Sequence, residues 1–223
     1  MSYRELIASM KKSSRNEAQE VSLEVFNQDK KIIGRLVPVG QWILDDHEKI
    51  ELIRSWRQRA MRMFLTQFES TVEKTRSYLE NLSVFQEGRI LFLLFDAEDR
   101  FVGHLGVANI DGKTGELDNL MRGLEGGDPR LIYFSELALL DWYFKNLDVA
   151  ESYVRVLSYN WLVISLHEEV GYVLYQSLPL RRHVKDGVTF HDVSTELESN
   201  VKYSCLNMRL ERDSFYQVNS WLR

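Results

Sequence analysis

The chain has 223 residues, with 28 Lys and Arg against 33 Asp and Glu, a net charge of −5 and 44% apolar types. This is the profile of an ordinary globular domain that can bury one substantial core. The mild acidity excludes non-specific binding to nucleic acid or anionic membranes, which needs clustered positive charge. The single cysteine, Cys205, excludes a disulfide framework and a cysteine-rich zinc site. No apolar run approaches the ~18 residues of a membrane span, and the polar start MSYRELIASMKKSSRNEAQE lacks a signal-peptide pattern. A cytoplasmic, single-domain protein is expected.

In chain order, residues 1–30 read as a polar, helix-like extension, and 31–223 as one domain. A strand is expected over Ile32–Val39. An amphipathic helix follows, from Asp45 or Asp46 to Arg59, and a second over Thr71–Phe85 with Ser70 or Thr71 as its N-cap. The runs Arg89–Asp96 and Phe101–Ile110 read as strands. Asp111-Gly112 reads as a tight hairpin turn into a third strand, Gly115–Arg122. A glycine-rich loop with Gly123, Gly126 and Gly127 leads to a helix whose Tyr133, Leu137, Leu140, Phe144 and Leu147 share one buried face. Ser152–Leu157 is a strand. Asn160–Val170 is a helix stopped by Gly171, and Val184–Val193 and Tyr203–Leu210 alternate as strands before a last polar helix. The order defines an α/β (α+β) domain around one sheet.

Most local motifs dissolve on inspection. Gly112-Lys113-Thr114 lacks the upstream glycine and the strand-to-helix setting of a phosphate-binding loop. The five histidines have no ligand spacing, so no metal is expected. No nucleophile elbow exists, and Cys205 has no activating neighbours in sequence. The strand–loop–helix unit at 115–147 is more informative. A helix N-terminus with its free N–H groups suits phosphate, glycines admit close backbone approach, and Arg122 and Arg130 add positive charge. An ordinary glycine-rich connection accounts for the same residues equally well. In the next helix, Asn160 is a good N-cap, and His167 stands seven residues on, about two turns along the same face.

Together these two units resemble the acyl-CoA-binding half of the GNAT-superfamily N-acetyltransferases. Asn160-Trp161-Leu162-Val163-Ile164-Ser165-Leu166-His167-Glu168-Glu169-Val170-Gly171-Tyr172 is similar to the family's later signature, with His167 where tyrosine is usual. Glu116–Asp141 corresponds to its earlier signature, although Glu125 stands where the strict loop pattern has glycine. Ser55-Trp56-Arg57-Gln58 resembles the end of the first helix in branches that act on small molecules or on ribosomal-protein N-termini. The run GELDNLMRG is also similar to enzymes that acetylate nucleotide-linked amino sugars for bacterial surface polysaccharides.

The resemblance implies a GNAT-like domain with a mixed, mostly antiparallel sheet flanked by helices on both faces. Its acceptor side would span about 31–100, its acyl-CoA core about 100–175 and its C-terminal strands and helix 176–223. It implies acetyl-CoA as co-substrate, without metal, and direct attack by a small-molecule amine. Leu120, Met121 and Arg122 would flank the pantetheine arm. Gly123, Gly126, Gly127 and Arg130 would meet the phosphates, with Asn160 and His167 also lining the cofactor. His167 would act as the acid, and Glu116 or Asp118 as the base, though exposed strand carboxylates explain the last two as well. Trp56, Arg57, Arg59 and Arg62 lie where the acceptor binds, and a solvated helix face is the competing account. A homodimer, an N-terminal acetyltransferase and a non-catalytic binding module all remain compatible with these residues.

Overall fold

The apolar runs at 90–96 and 101–108 are buried along their whole length, which requires cover on both faces of their sheet. In the computed structural model, which describes residues 2–223, that cover is provided. The chain runs α1 (Tyr3–Met10), α2 (Arg15–Glu20), β1 (Leu23–Phe26), β2 (Ile32–Pro38), α3 (His47–Arg59), β3 (Thr66–Gln67), α4 (Val72–Leu79), β4 (Ile90–Asp96), β5 (Phe101–Ala108) and β6 (Thr114–Arg122). It continues through α5 (Leu131–Asn146), β7 (Glu151–Leu157), α6 (Trp161–Val170), β8 (Val173–Lys185), β9 (Val188–Val193), β10 (Ser204–Glu211) and α7 (Arg212–Val218). The strands lie in the order β1-β2-β4-β5-β6-β7-β10-β8-β9-β3. Every pairing is antiparallel except β6 with β7.

The period-two alternation of β4 sorts its side chains between two layers. Ile90, Phe92 and Leu94 join Leu137, Leu140 and Phe144 of α5 on one face. Leu91, Leu93 and Phe95 join Ile50, Ile53 and Trp56 of α3 on the other. Each such side chain contributes about 1.5–3 kcal/mol relative to exposure, so the central strands fix the sheet.

Most expected elements stand within a residue or two of their place; one exception is the expected tail strand Val184–Val193, which a turn at Asp186 and Gly187, both with positive φ, splits between the longer β8 and β9. Thr71 and Asp46 cap α4 and α3 as expected, each accepting a backbone N–H three residues on. The second helix loses its α-helical register after Leu79 and reaches Val84 through a π-helical stretch. The Asp111-Gly112 turn is a longer loop in which Asn109 and Gly112 take positive φ while Asp111 accepts the amides of Lys113 and Thr114. The polar stretch 2–30, expected as an extension, is built into the sheet and core. Ile7 and Met10 are buried against the α5 layer, Ala18 is buried against the α3 layer, and β1 pairs with β2. Among the described residues no helix is long and apolar enough to cross a membrane.

Candidate functional site

Strands β6 and β7 pair only over Thr114–Glu116 with Glu151–Tyr153. Beyond Glu116 each keeps its outer partner, β5 or β10, but they no longer bond to each other. The backbone groups along this V-shaped opening are free to pair with an extended ligand carrying amides. At the same point β6 carries a bulge. Asn119 and Leu120 together oppose Leu105, and Asn119 takes φ +54°. Leu120, Met121 and Arg122, the residues expected beside an acyl-CoA arm, follow directly.

The loop after β6 is held from both sides. Val102 O accepts the amides of Gly123 at 2.8 Å and Leu124 at 3.1 Å. The Arg122 guanidinium donates to the carbonyls of Leu124, Gly126 and Asp128. Because a trans peptide is planar, turning those carbonyls onto Arg122 directs the amides of Glu125 and Gly127 away from it. Gly126 and Gly127 take φ of +112° and +66°, conformations that other residues adopt only under strain. Helix α5 then starts at the N-cap Arg130 without a side-chain cap bond. Asp128 Oδ1 accepts the Arg130 amide at 2.8 Å, and the first-turn amides after it have no side-chain cap, a setting that suits an anion. Arg122 and Arg130 serve this arrangement indirectly. Arg130 ion-pairs with Glu169 of α6 and lies over the Tyr133 ring at 4.1 Å.

Asn160 stands at the N-cap of α6, but its side chain makes no cap bond and stays available. His167, 3% exposed, presents Nδ1 to Glu136 Oε1 at 2.7 Å, and Glu136 is fully buried. A buried carboxylate on one imidazole nitrogen fixes the ring and leaves Nε2 as the nitrogen that can act. Glu136 escapes the sequence reading, although a signal exists: it is the lone charge on the buried stripe between Tyr133 and Leu140.

On the opposite face of β6, toward α3 and α4, the polar residues gather. Asp118 ion-pairs with Arg89 and accepts the Asn119 amide at 2.7 Å. Tyr78 Oη accepts Arg89 at 3.2 Å and the Asn119 amide group at 2.8 Å, and burial pushes its phenol up to about 12. Arg57 sits among Phe64, Phe68 and Tyr78, 4.1 Å over the first ring, with its guanidinium pKa lowered chiefly by burial. A groove of about 830 Å³ runs along this face past Phe68, Lys74, Leu82 and Val188.

Three expected contacts, Trp56, Arg59 and Glu116, are placed differently, while Arg62 keeps an exposed side chain. Trp56 is 2% exposed, and Gly123 lies so close to its indole that no Cβ would fit there. Trp56 therefore supports the loop from below and does not face an acceptor. Arg59 donates to Gly123 O at 2.9 Å, so it also holds the loop. Arg62 is exposed, and its carbonyl accepts Tyr159 Oη. Glu116 is clamped by Arg155 at 2.7 and 2.9 Å and by Asn109 at 2.7 Å, which occupies both carboxylate oxygens. Among the described residues no three His, Cys, Asp or Glu side chains gather as a metal site requires.

Solved structures identify this arrangement of splayed parallel pair, β-bulge, glycine loop and helix as the fold shared by GNAT acetyltransferases. No protein-family model matches the sequence, and no curated protein matches it. Solved structures do. A GNAT-family acetyltransferase from Bacillus anthracis superposes with a TM-score of 0.60 at 12% identity, over 86% of this chain and 99% of that one. The spermidine N-acetyltransferase SpeG from Vibrio cholerae, in complex with CoA and spermine, gives 0.59 at 14% identity, over 75% and 92%. FdhC, a nucleotide-linked sugar GNAT, gives 0.58 at 13% identity, over 88% and 94%.

Proposed function

We propose that this protein is an acyl-CoA-dependent N-acyltransferase that moves acetyl from acetyl-CoA to the amino group of a small polar acceptor, such as a nucleotide-linked amino sugar. The observation that carries this reading is the opening between β6 and β7 beyond Glu116, flanked by the Asn119 bulge and the glycine loop. The residues around it fit the co-substrate. The β6 edge at Leu120, Met121 and Arg122 offers backbone partners to the arm. The amides of Glu125, Gly126 and Gly127 and the start of α5 are offered to the pyrophosphate, whereas the Gly123 amide, expected there, is taken by Val102 O, and Asn160 offers a free side chain. Acetyl-CoA supplies an activated thioester, so no nucleophile is needed from the chain, and burial raises the Cys205 thiol pKa rather than activating it.

His167, with a proton on each ring nitrogen and its Nδ1–H donated to Glu136, is assigned to pass the Nε2 proton to the departing sulfur. Arg57 and Arg62 are assigned to the acceptor side, where guanidinium groups suit phosphate or carboxylate. The acceptor class rests on these cations and on likeness to a nucleotide-linked sugar GNAT. A free cysteine that is buried suits a reducing cytoplasm. Calorimetry with acetyl-CoA tests the co-substrate. Thiol release with a nucleotide-linked amino sugar, spermine and a short peptide with a free α-amine tests the acceptor. Saturable binding and turnover with the sugar are expected. Absence of binding at millimolar acetyl-CoA overturns the reading, and turnover with the peptide alone overturns the acceptor class.

A further inference from the structure

Beneath the bulge of β6 lies an enclosed cavity of about 20 Å³, between the sheet and helices α3 and α4. Two of its walls carry polar atoms that are buried and have no partner in the chain: Nε of Arg57 and Nε2 of His104. His104 is 4% exposed. Its Nδ1 lies 2.8 Å from the backbone carbonyl of Asn119, the bulge residue. A carbonyl only accepts, so Nδ1 carries the proton and Nε2 presents a bare lone pair to the cavity. Arg57 Nε is always a donor. The cavity thus pairs one orphan donor with one orphan acceptor, in a volume that holds a single water. A group that both accepts and donates satisfies both atoms, whereas a carboxylate or an ammonium satisfies only one.

We propose that this cavity holds the water through which an acceptor amine gives up its proton, and that His104 Nε2 receives it. The proposal rests on the acetyltransferase reading. Asn119 and Met121 line the cavity, and they flank Leu120 on the strand assigned to the acyl arm. Arg57, Phe68, Lys74 and Tyr78 are walls of both the cavity and the acceptor groove. The cavity therefore lies between the two substrates. In the transfer step the amine nitrogen forms a bond to the thioester carbonyl carbon, and the carbon–sulfur bond breaks with its electron pair on sulfur. The proton leaving nitrogen passes to the water, and a proton of that water passes to His104 Nε2. The product is an imidazolium that keeps its Nδ1–H on Asn119 O.

The charged and titratable groups around the ring favour its neutral, proton-accepting form at rest. Arg57 on α3 opposes a second positive charge, Asp118 on β6 works against it but is already neutralised by Arg89, and Lys74 and Tyr78 complete the α4 side. Burial is the largest influence and holds the imidazole down at about 4. The same ring pins the bulge, so its two roles must be separated. His104→Asn does this, because its amide N–H can still donate to Asn119 O while nothing basic faces the cavity.

Three measurements on the intact chain test the relay. A high-resolution crystal structure should show one water bridging Arg57 Nε and His104 Nε2, and ¹⁵N NMR should find Nδ1 protonated and Nε2 bare at neutral pH. A dry cavity or a proton on Nε2 overturns the proposal without reference to activity. With acetyl-CoA and the best acceptor of the panel above, His104→Asn should lower kcat by about 10²-fold or more. Its acetyl-CoA Kd should stay within a factor of three, and the deficit should shrink as pH rises and solvent base substitutes. Equal kcat in the two proteins, or a deficit constant with pH, overturns the relay alone. A wild-type chain that binds no acetyl-CoA overturns the acetyltransferase reading and the relay with it.

Discussion

His104 should also give the fold a pH dependence whose sign follows from its burial. The folded imidazole is held at about 4 against an ordinary value of 6.5, chiefly because a buried ring is costly to charge. As pH falls below 6.5 the unfolded chain takes up this proton and the native chain does not, so the native state loses stability progressively until about pH 4. The interval of roughly 2.5 units corresponds to about 3 kcal/mol, a large share of the ~5–15 kcal/mol that holds a domain together. Urea unfolding followed by tryptophan fluorescence at several pH values between 7 and 4.5 would measure it. Carboxylates titrate in the same range, but they do so equally in wild type and in His104→Asn. At pH 7 the variant carries only the cost of the altered ring. By pH 4.5 the difference between the two proteins should move in favour of the variant by about 2–3 kcal/mol, or roughly 5–10 °C in Tm for a domain of this size. Parallel stability–pH curves for the two proteins would refute the assignment of a depressed, buried histidine.

Gly123→Ala should lower Tm by several degrees, because its Cβ would fall well inside 3.0 Å of three indole atoms of the buried Trp56; overpacking of this kind costs about 1–3 kcal/mol or more, and a Tm within 2 °C of wild type in a thermal scan would show that the loop yields freely. Arg155→Met leaves the carboxylate of Glu116, 6% exposed, with Asn109 as its remaining partner. Because Arg155 itself is half exposed, a loss of about 1–3 kcal/mol is expected in urea unfolding, largely recovered in the Glu116→Gln/Arg155→Met double variant. Arg59→Gln removes the donor to Gly123 O and should weaken acetyl-CoA binding several-fold in calorimetry while sparing the acceptor KM; a changed KM with intact Kd would return Arg59 to the acceptor side. His167→Gln should reduce kcat by about 10²-fold at saturating acetyl-CoA with Kd unchanged, and an unchanged kcat would remove the acid role.

Elements dictated by local chemistry are legible in the chain without its fold. Period-two and period-3.6 patterns placed β4–β7, α3, α5 and α6. Asp46 and Thr71 marked helix starts through their caps, and Gly171 marked a helix end through its positive φ. The GNAT-like order of strand, glycine loop and helix was legible because it occupies contiguous residues. Pairings between distant segments are not legible in this way, because they depend on which surfaces meet once the chain is folded. Nothing in the first thirty residues announces that Ile7, Met10 and Val25 are core, because their apolar character is sparse and becomes useful only once β1 finds β2. Residues that looked available for chemistry were spoken for by partners far along the chain: Glu116 by Arg155, Arg59 by Gly123 and Trp56 by the loop above it. Conversely, Glu136, His104 and Tyr78 read as ordinary helix or strand residues. They gained a candidate role when packing buried them beside His167, Asn119 and Arg57, because desolvation and the choice of neighbour, not residue type, set what a polar group in a core can do.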